Sequence, residues 1–122
     1  MNLPQGYQTV MPYLILKDVT EFIDFTKKVF GATELAIHKN ESGGVVHAEI
    51  QIGGSTIMMG QAGENWPAQN AGLYINVENT DITFQKALEH HASMVMPVED
   101  KEYGRSGGIM DPQGNTWWIT QV

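Results

Sequence analysis

The apolar positions of this chain alternate between the short period of a strand and the longer period of a helix, and they do so twice. Val10-Met11-Pro12-Tyr13-Leu14-Ile15-Leu16 is a continuous apolar run of strand length. Asp18 and Glu21 follow at the spacing of a helix start, with Asp18 accepting from the open N–H groups and Glu21 reaching back. Phe22, Phe25 and Val29, with Ile23 and Phe30 beside them, form an apolar stripe at helical spacing. Gly31 is the residue that turns left-handed to end that helix. Three strands are predicted next, over Glu34–Lys39, Val45–Ile52 and Thr56–Gln61, the last two joined by Gly53-Gly54-Ser55 as a hairpin.

The same order returns about 60 residues later. Leu73-Tyr74-Ile75-Asn76-Val77 reads as a strand, and Thr80-Asp81 opens a helix with Phe84, Ala87 and Leu88 on its core face. Met94–Val98, Gly108–Met110 and Thr116–Thr120 supply three more strands. Ala32 recurs as Ala92, Gly54 as Gly114, and Ile57-Met58-Met59 as Trp117-Trp118-Ile119. The pattern is two βαβββ units, with modules over 8–61 and 72–122 and a polar connector over 62–71 carrying Trp66-Pro67. A single unit covers one face of its sheet with one helix and leaves the other bare. Two units must therefore pair, within or between chains, and the α+β fold expected is two modules forming curved mixed sheets around a cleft.

Composition narrows the functional classes. The 122 residues hold no cysteine, which removes disulfides, thiolate metal sites and cysteine nucleophiles and fits a cytoplasmic location. Fourteen acidic against seven basic side chains give a net charge of −7, so no nucleic acid partner is expected. The start of the chain has neither a positive segment nor an apolar one, and no apolar run approaches membrane-spanning length.

Several motifs then carry a resemblance. Leu16-Lys17-Asp18 precedes a helix ending in Val29-Phe30-Gly31-Ala32; His47-Ala48-Glu49-Ile50 and Asp111-Pro112-Gln113-Gly114-Asn115 follow. In this order they resemble the vicinal oxygen chelate superfamily, which contains glyoxalase I, bleomycin-resistance proteins and extradiol dioxygenases. Met96-Pro97-Val98, Tyr103-Gly104 and the stretch from Asp111 to Trp117 are similar to its PhnB-like branch. The resemblance implies one glyoxalase/bleomycin-resistance-like domain over 1–122 and a homodimer. Asp111-Pro112-Gln113-Gly114 also has a plain physical reading as a tight turn between strands.

Metal-dependent relatives place ligands on the first and last strand of each unit. Carried over by position, these fall on Met11, Gly72 (or Ala71), Met58 and Trp118, none of which offers a hard divalent ion a donor. The resemblance therefore implies neither metal nor other cofactor here. His47, Glu49 and Gln51 share one face of their strand, and Val46, Ala48, Ile50 and Ile52 the other. His47 and Glu49 are thus a candidate polar contact, acid–base pair or unusual metal site, for which the linear neighbourhood offers no third ligand; His38 sits on an edge-like strand facing solvent. His91 stands where relatives usually carry glycine, and a positive φ there would cost of order 1 kcal/mol.

By the same carry-over, Trp118, Met58, Met11 and Thr116 line the cleft as an apolar surface with an aromatic platform, suited to a planar or cationic guest. Tyr103 is a candidate lid. Arg105, in the glycine-rich Gly104–Gly108 read as a loop, is a candidate partner for an anionic group. Two functions stand against each other. The first is a small-molecule binding protein that sequesters an apolar or cationic aromatic compound. The second is a lyase, isomerase or dioxygenase-like enzyme working through His47 and Glu49.

Overall fold

The computed structural model describes residues 1–122. The elements run β1 (Tyr13–Leu16), α1 (Val19–Phe30), β2 (Thr33–Lys39), β3 (Val45–Ile52) and β4 (Ser55–Gln61), then β5 (Gly72–Asn76), α2 (Thr80–Glu89), β6 (Ser93–Lys101), β7 (Gly104–Met110) and β8 (Thr116–Gln121). They form two compact units, Met1–Gln69 and Asn70–Val122. The sheet order is β1-β4-β3-β2 in the first and β5-β8-β7-β6 in the second. In both, the first strand runs parallel to the last and the remaining pairs are antiparallel. This is the α+β, doubled βαβββ architecture expected from the repeat. No helix is long and apolar enough to cross a membrane.

Each helix starts by the same two devices. Asp18 Oδ1 accepts from Glu21 N at 3.1 Å, and Asn79 Oδ1 accepts from Ile82 N at 3.1 Å. The cap of α2 is therefore Asn79, one residue before the expected opening at Thr80. The first helical N–H of each is then taken by a glutamine ending the last strand, Val19 N by Gln61 Oε1 and Thr80 N by Gln121 Oε1. Helix ends differ. Gly31 closes α1 at φ +70°, whereas His91, its repeat partner, stands beyond α2 at φ +77°.

Alternation decides what each sheet buries. In the first unit Leu14, Leu16, Ala48, Ile50, Ile57 and Met59 join Val19, Phe22, Phe25 and Val29 of α1 in the core. Val46, expected in that layer, is exposed near the start of β3. In the second unit Trp117, Ile109 and Ile119 are buried with Phe84 and Ala87 of α2. The β7–β8 turn is closed by buried Asp111, which accepts from Gln113 N, Asn115 N, Asn115 Nδ2 and, at 2.7 Å, Trp117 Nε1. Gly114 takes φ +89° there, as a tight turn requires.

Gly104–Gly107, read as loop, is strand. A Cβ on Gly107 would come within about 3 Å of Phe84 and Val98, and one on Gly108 within 2.7 Å of the Trp118 ring. These glycines are places of close packing rather than of flexibility.

Candidate functional site

On the first sheet, the face that turns away from α1 carries a group of polar side chains joined to one another among apolar ones such as Met58 and Ala36. Glu49 is buried on β3, between the register partners Met58 on β4 and Ala36 on β2. Its Oε2 lies 3.0 Å from His47 Nε2, and its Oε1 accepts from the Tyr7 hydroxyl at 2.7 Å. His47 Nδ1 in turn lies 3.2 Å from the Tyr13 hydroxyl on β1. The chain Tyr7–Glu49–His47–Tyr13 thus crosses the open face. His38 on β2 stands beside it, its ring centroid 5.3 Å from that of His47.

The N-terminal segment brings Tyr7 in. Gly6 O accepts from Thr56 Oγ1, and Gln8 Nε2 donates to Thr56 O at 3.2 Å, so residues 6–8 lie against the Gln51–Thr56 end of the sheet. Gly6 has φ +85°, and a Cβ there would meet Gln51 Nε2 at 2.7 Å. Burial pushes the Glu49 carboxyl up, but hydrogen bonds from His47 and Tyr7 and the nearby imidazole charge outweigh it, leaving the carboxyl below its ordinary value. Accepting that hydrogen bond, Glu49 raises the Tyr7 phenol.

The second sheet presents an aromatic patch on its open face. Trp118 lies over Gly108 and beside Met96, remains 37% exposed, and is register partner to Tyr74, 56% exposed. Beyond it Ser106 and Thr120 are buried and hydrogen-bonded to each other at 2.8 Å. Thr116 is half-buried and pairs with Gly72 and Met110. In the first unit Met58 is half-buried and pairs with Tyr13 and Glu49, and half-buried Met11 precedes β1.

Arg105 and Tyr103 sit elsewhere. The Arg105 guanidinium is on the α2 side, its Nε 2.6 Å from Asp81 Oδ2 and its Nη1 3.0 Å from Asp100 Oδ1. The hydrogen bond to Asp81 comes first in holding its pKa above the ordinary arginine value, and the same bond holds the Asp81 carboxyl below its own. Both carboxylates already partner Arg105, so a ligand anion approaching it meets two negative charges. Tyr103 is exposed at the β6–β7 turn. A shallow groove of about 470 Å³ runs between α1 and β2, on the helix side of the first sheet; Ile23, Ile37 and the Lys27–Glu34 ion pair line it, away from both open faces.

The sequence reading did not include Tyr7 and Tyr13 in the site, and it found no third donor near His47 and Glu49. The β2–β3 ladder supplies one: His38 is the register partner of His47.

The sequence pattern of the Glyoxalase/Bleomycin resistance protein/Dioxygenase superfamily matches residues 8–119, and the chain belongs to this superfamily. It is 31% identical to the uncharacterized protein Mb0911c of Mycobacterium bovis, over 90% of this chain and 80% of that one. Among solved structures it resembles the PhnB protein from Bacillus cereus, with TM-score 0.73 and 19% identity over 94% of this chain and 100% of that one. It also resembles the bleomycin-binding protein of Streptomyces verticillus, solved with copper(II)-bleomycin, with TM-score 0.64 and 18% identity over 95% and 97%. Both structures share the fold.

The four metal positions carried over from relatives do not fit a hard divalent ion. Met11 and Met58 offer thioethers, Gly72 no side chain, and Trp118 an indole whose ring lies over Gly108.

Proposed function

We propose that this protein binds a small molecule, and that the open face of β8 receives an apolar or cationic aromatic compound against Trp118. One observation carries the reading: an indole held over a glycine on a residue that stays 37% exposed, with an exposed tyrosine in register beside it. A guest stacked on such a surface gains roughly 1–3 kcal/mol per ring. The net charge of −7 enriches cationic guests near the surface, an effect that fades with salt. The bleomycin-binding protein gives a precedent for a small molecule held on this fold. Native mass spectrometry against a panel of planar aromatic cations and neutral aromatics tests the proposal. One-to-one adducts support it, and a panel without adducts contradicts it.

A second reading rests on the Tyr7–Glu49–His47–Tyr13 chain, which has the parts of a general acid–base pair: an imidazole, a carboxylate that orients it, and hydroxyls that relay protons. In that reading the protein is a lyase, isomerase or dioxygenase-like enzyme, and turnover of a substrate is lost in Glu49→Gln. A homodimer is part of the proposal as well, because a βαβββ unit covers one face of its sheet with a single helix. Light scattering at micromolar concentration is expected to give the mass of two chains; the mass of one contradicts it.

A further inference from the structure

Three donors from two strands meet on the open face of the first unit. A ring nitrogen of His38, a ring nitrogen of His47 and a carboxylate oxygen of Glu49 all lie within 4.8 Å of one another. We propose that His38, His47 and Glu49 form a binding site for a first-row divalent transition ion, with zinc as its simplest occupant.

Donor chemistry fits. Two imidazoles and one carboxylate are a nitrogen–oxygen set that suits borderline divalent ions such as zinc, cobalt or nickel and leaves a coordination position open. Bonds of about 2.0–2.2 Å in tetrahedral geometry separate ligand atoms by about 3.3–3.5 Å. His47 Nε2 and Glu49 Oε2 are already 3.0 Å apart. His38 is exposed, so its side chain has room to rotate and close the third side.

The outer partners fit too. A metal-binding histidine is normally held through its other nitrogen, and a metal-binding carboxylate through its other oxygen. Here the Tyr13 hydroxyl faces His47 Nδ1 and leaves Nε2 toward the site, while Tyr7 donates to Glu49 Oε1 and leaves Oε2. Both β3 donors are thus backed by a tyrosine. An ion entering here replaces the His47–Glu49 hydrogen bond, and Nδ1 of His47 then donates to Tyr13.

This site is distinct from the four positions carried over from relatives, which lie on or next to β1, β4, β5 and β8 and lack donors. It is also independent of the aromatic face of β8, so either proposal can fail without the other.

Chelator-stripped protein titrated with zinc by calorimetry, and with cobalt by visible absorption, is the test. One zinc per chain is expected, together with a cobalt d–d band of a low-symmetry nitrogen–oxygen site. His38→Ala changes an exposed side chain and is expected to keep the fold while weakening zinc at least tenfold. Tyr7→Phe, touching no ion, is expected to weaken it about tenfold through loss of the outer hydrogen bond. His90→Ala with His91→Ala is expected to leave the affinity unchanged. Absence of a stoichiometric ion in the wild type overturns the proposal, as does an affinity that survives His38→Ala or falls with the His90/His91 pair.

Discussion

The two units share a frame and differ on their free faces. Both cap the helix with an acid or amide side chain, both fix its first N–H with a glutamine sixty residues apart, and both bury alternate residues of their last two strands under the helix. On the other face, register equates Tyr13 with Tyr74, Met58 with Trp118, Glu49 with Gly108 and His47 with Ser106. One unit carries an imidazole–carboxylate chain where the other carries an indole lying over a glycine. The helix side of each unit has to fill that unit's own core at close-packed density, whereas the free face has no such constraint. Function is therefore sought on the face where the two halves disagree.

The largest effect is expected at a point that only the second unit has. Its β7–β8 turn depends on buried Asp111, whereas the β3–β4 turn of the first is Gly53-Gly54 with Gly53 at φ +57°. Asp111→Ala leaves Trp117 Nε1 and Asn115 Nδ2 buried without this acceptor and should cost about 3 kcal/mol in denaturant unfolding. A loss below about 1 kcal/mol would mean that the turn holds without its acid.

Gly108→Ala comes next, since its Cβ would sit 2.7 Å from the Trp118 ring. It should destabilise by about 1–3 kcal/mol and shift tryptophan fluorescence as the ring is pushed off the sheet. An unshifted spectrum would show that the glycine does not seat the ring. The two helix ends offer a third contrast: His91→Gly gives α2 the ending that Gly31 gives α1, and should stabilise by up to about 1 kcal/mol.

The smallest effect is a pH dependence on the α2 side. Arg105 depresses the Asp81 carboxyl, so the pair's stabilisation is fully present above the ordinary aspartate value and is lost as pH falls through the lower, folded value. Asp81→Asn should therefore be less stable than wild type near neutrality, and the gap should close in strong acid. Both groups are partly exposed, and salt should narrow the gap at neutral pH.

Much of the fold was legible because the repeat constrains it. Val19–Phe30 and Thr80–Glu89 follow from periodicity and caps, and the strand alternation correctly separated Trp117 and Ile119 from Trp118. The start of β7 was not legible, since a glycine tract reads as turn until the Trp118 and Phe84 rings that require it are placed. The partners of His47 were hidden for two further reasons. Counting back from Lys39 opposite Val45 sets His38 against Val46, and the irregularity between His38 and Lys39 moves it to His47. Tyr7 reaches Glu49 across 42 residues from a segment with no periodic pattern.

The claim that the second unit's free face binds a guest is tested most directly by melting wild type and Trp118→Ala side by side over the aromatic panel. Expected is a ligand-dependent rise in the wild type that the substitution abolishes, with a loss of unliganded stability of no more than about 1–2 kcal/mol. A substitution that destabilises by several kcal/mol, with no ligand shift in either protein, would contradict it and make Trp118 a filler of the fold.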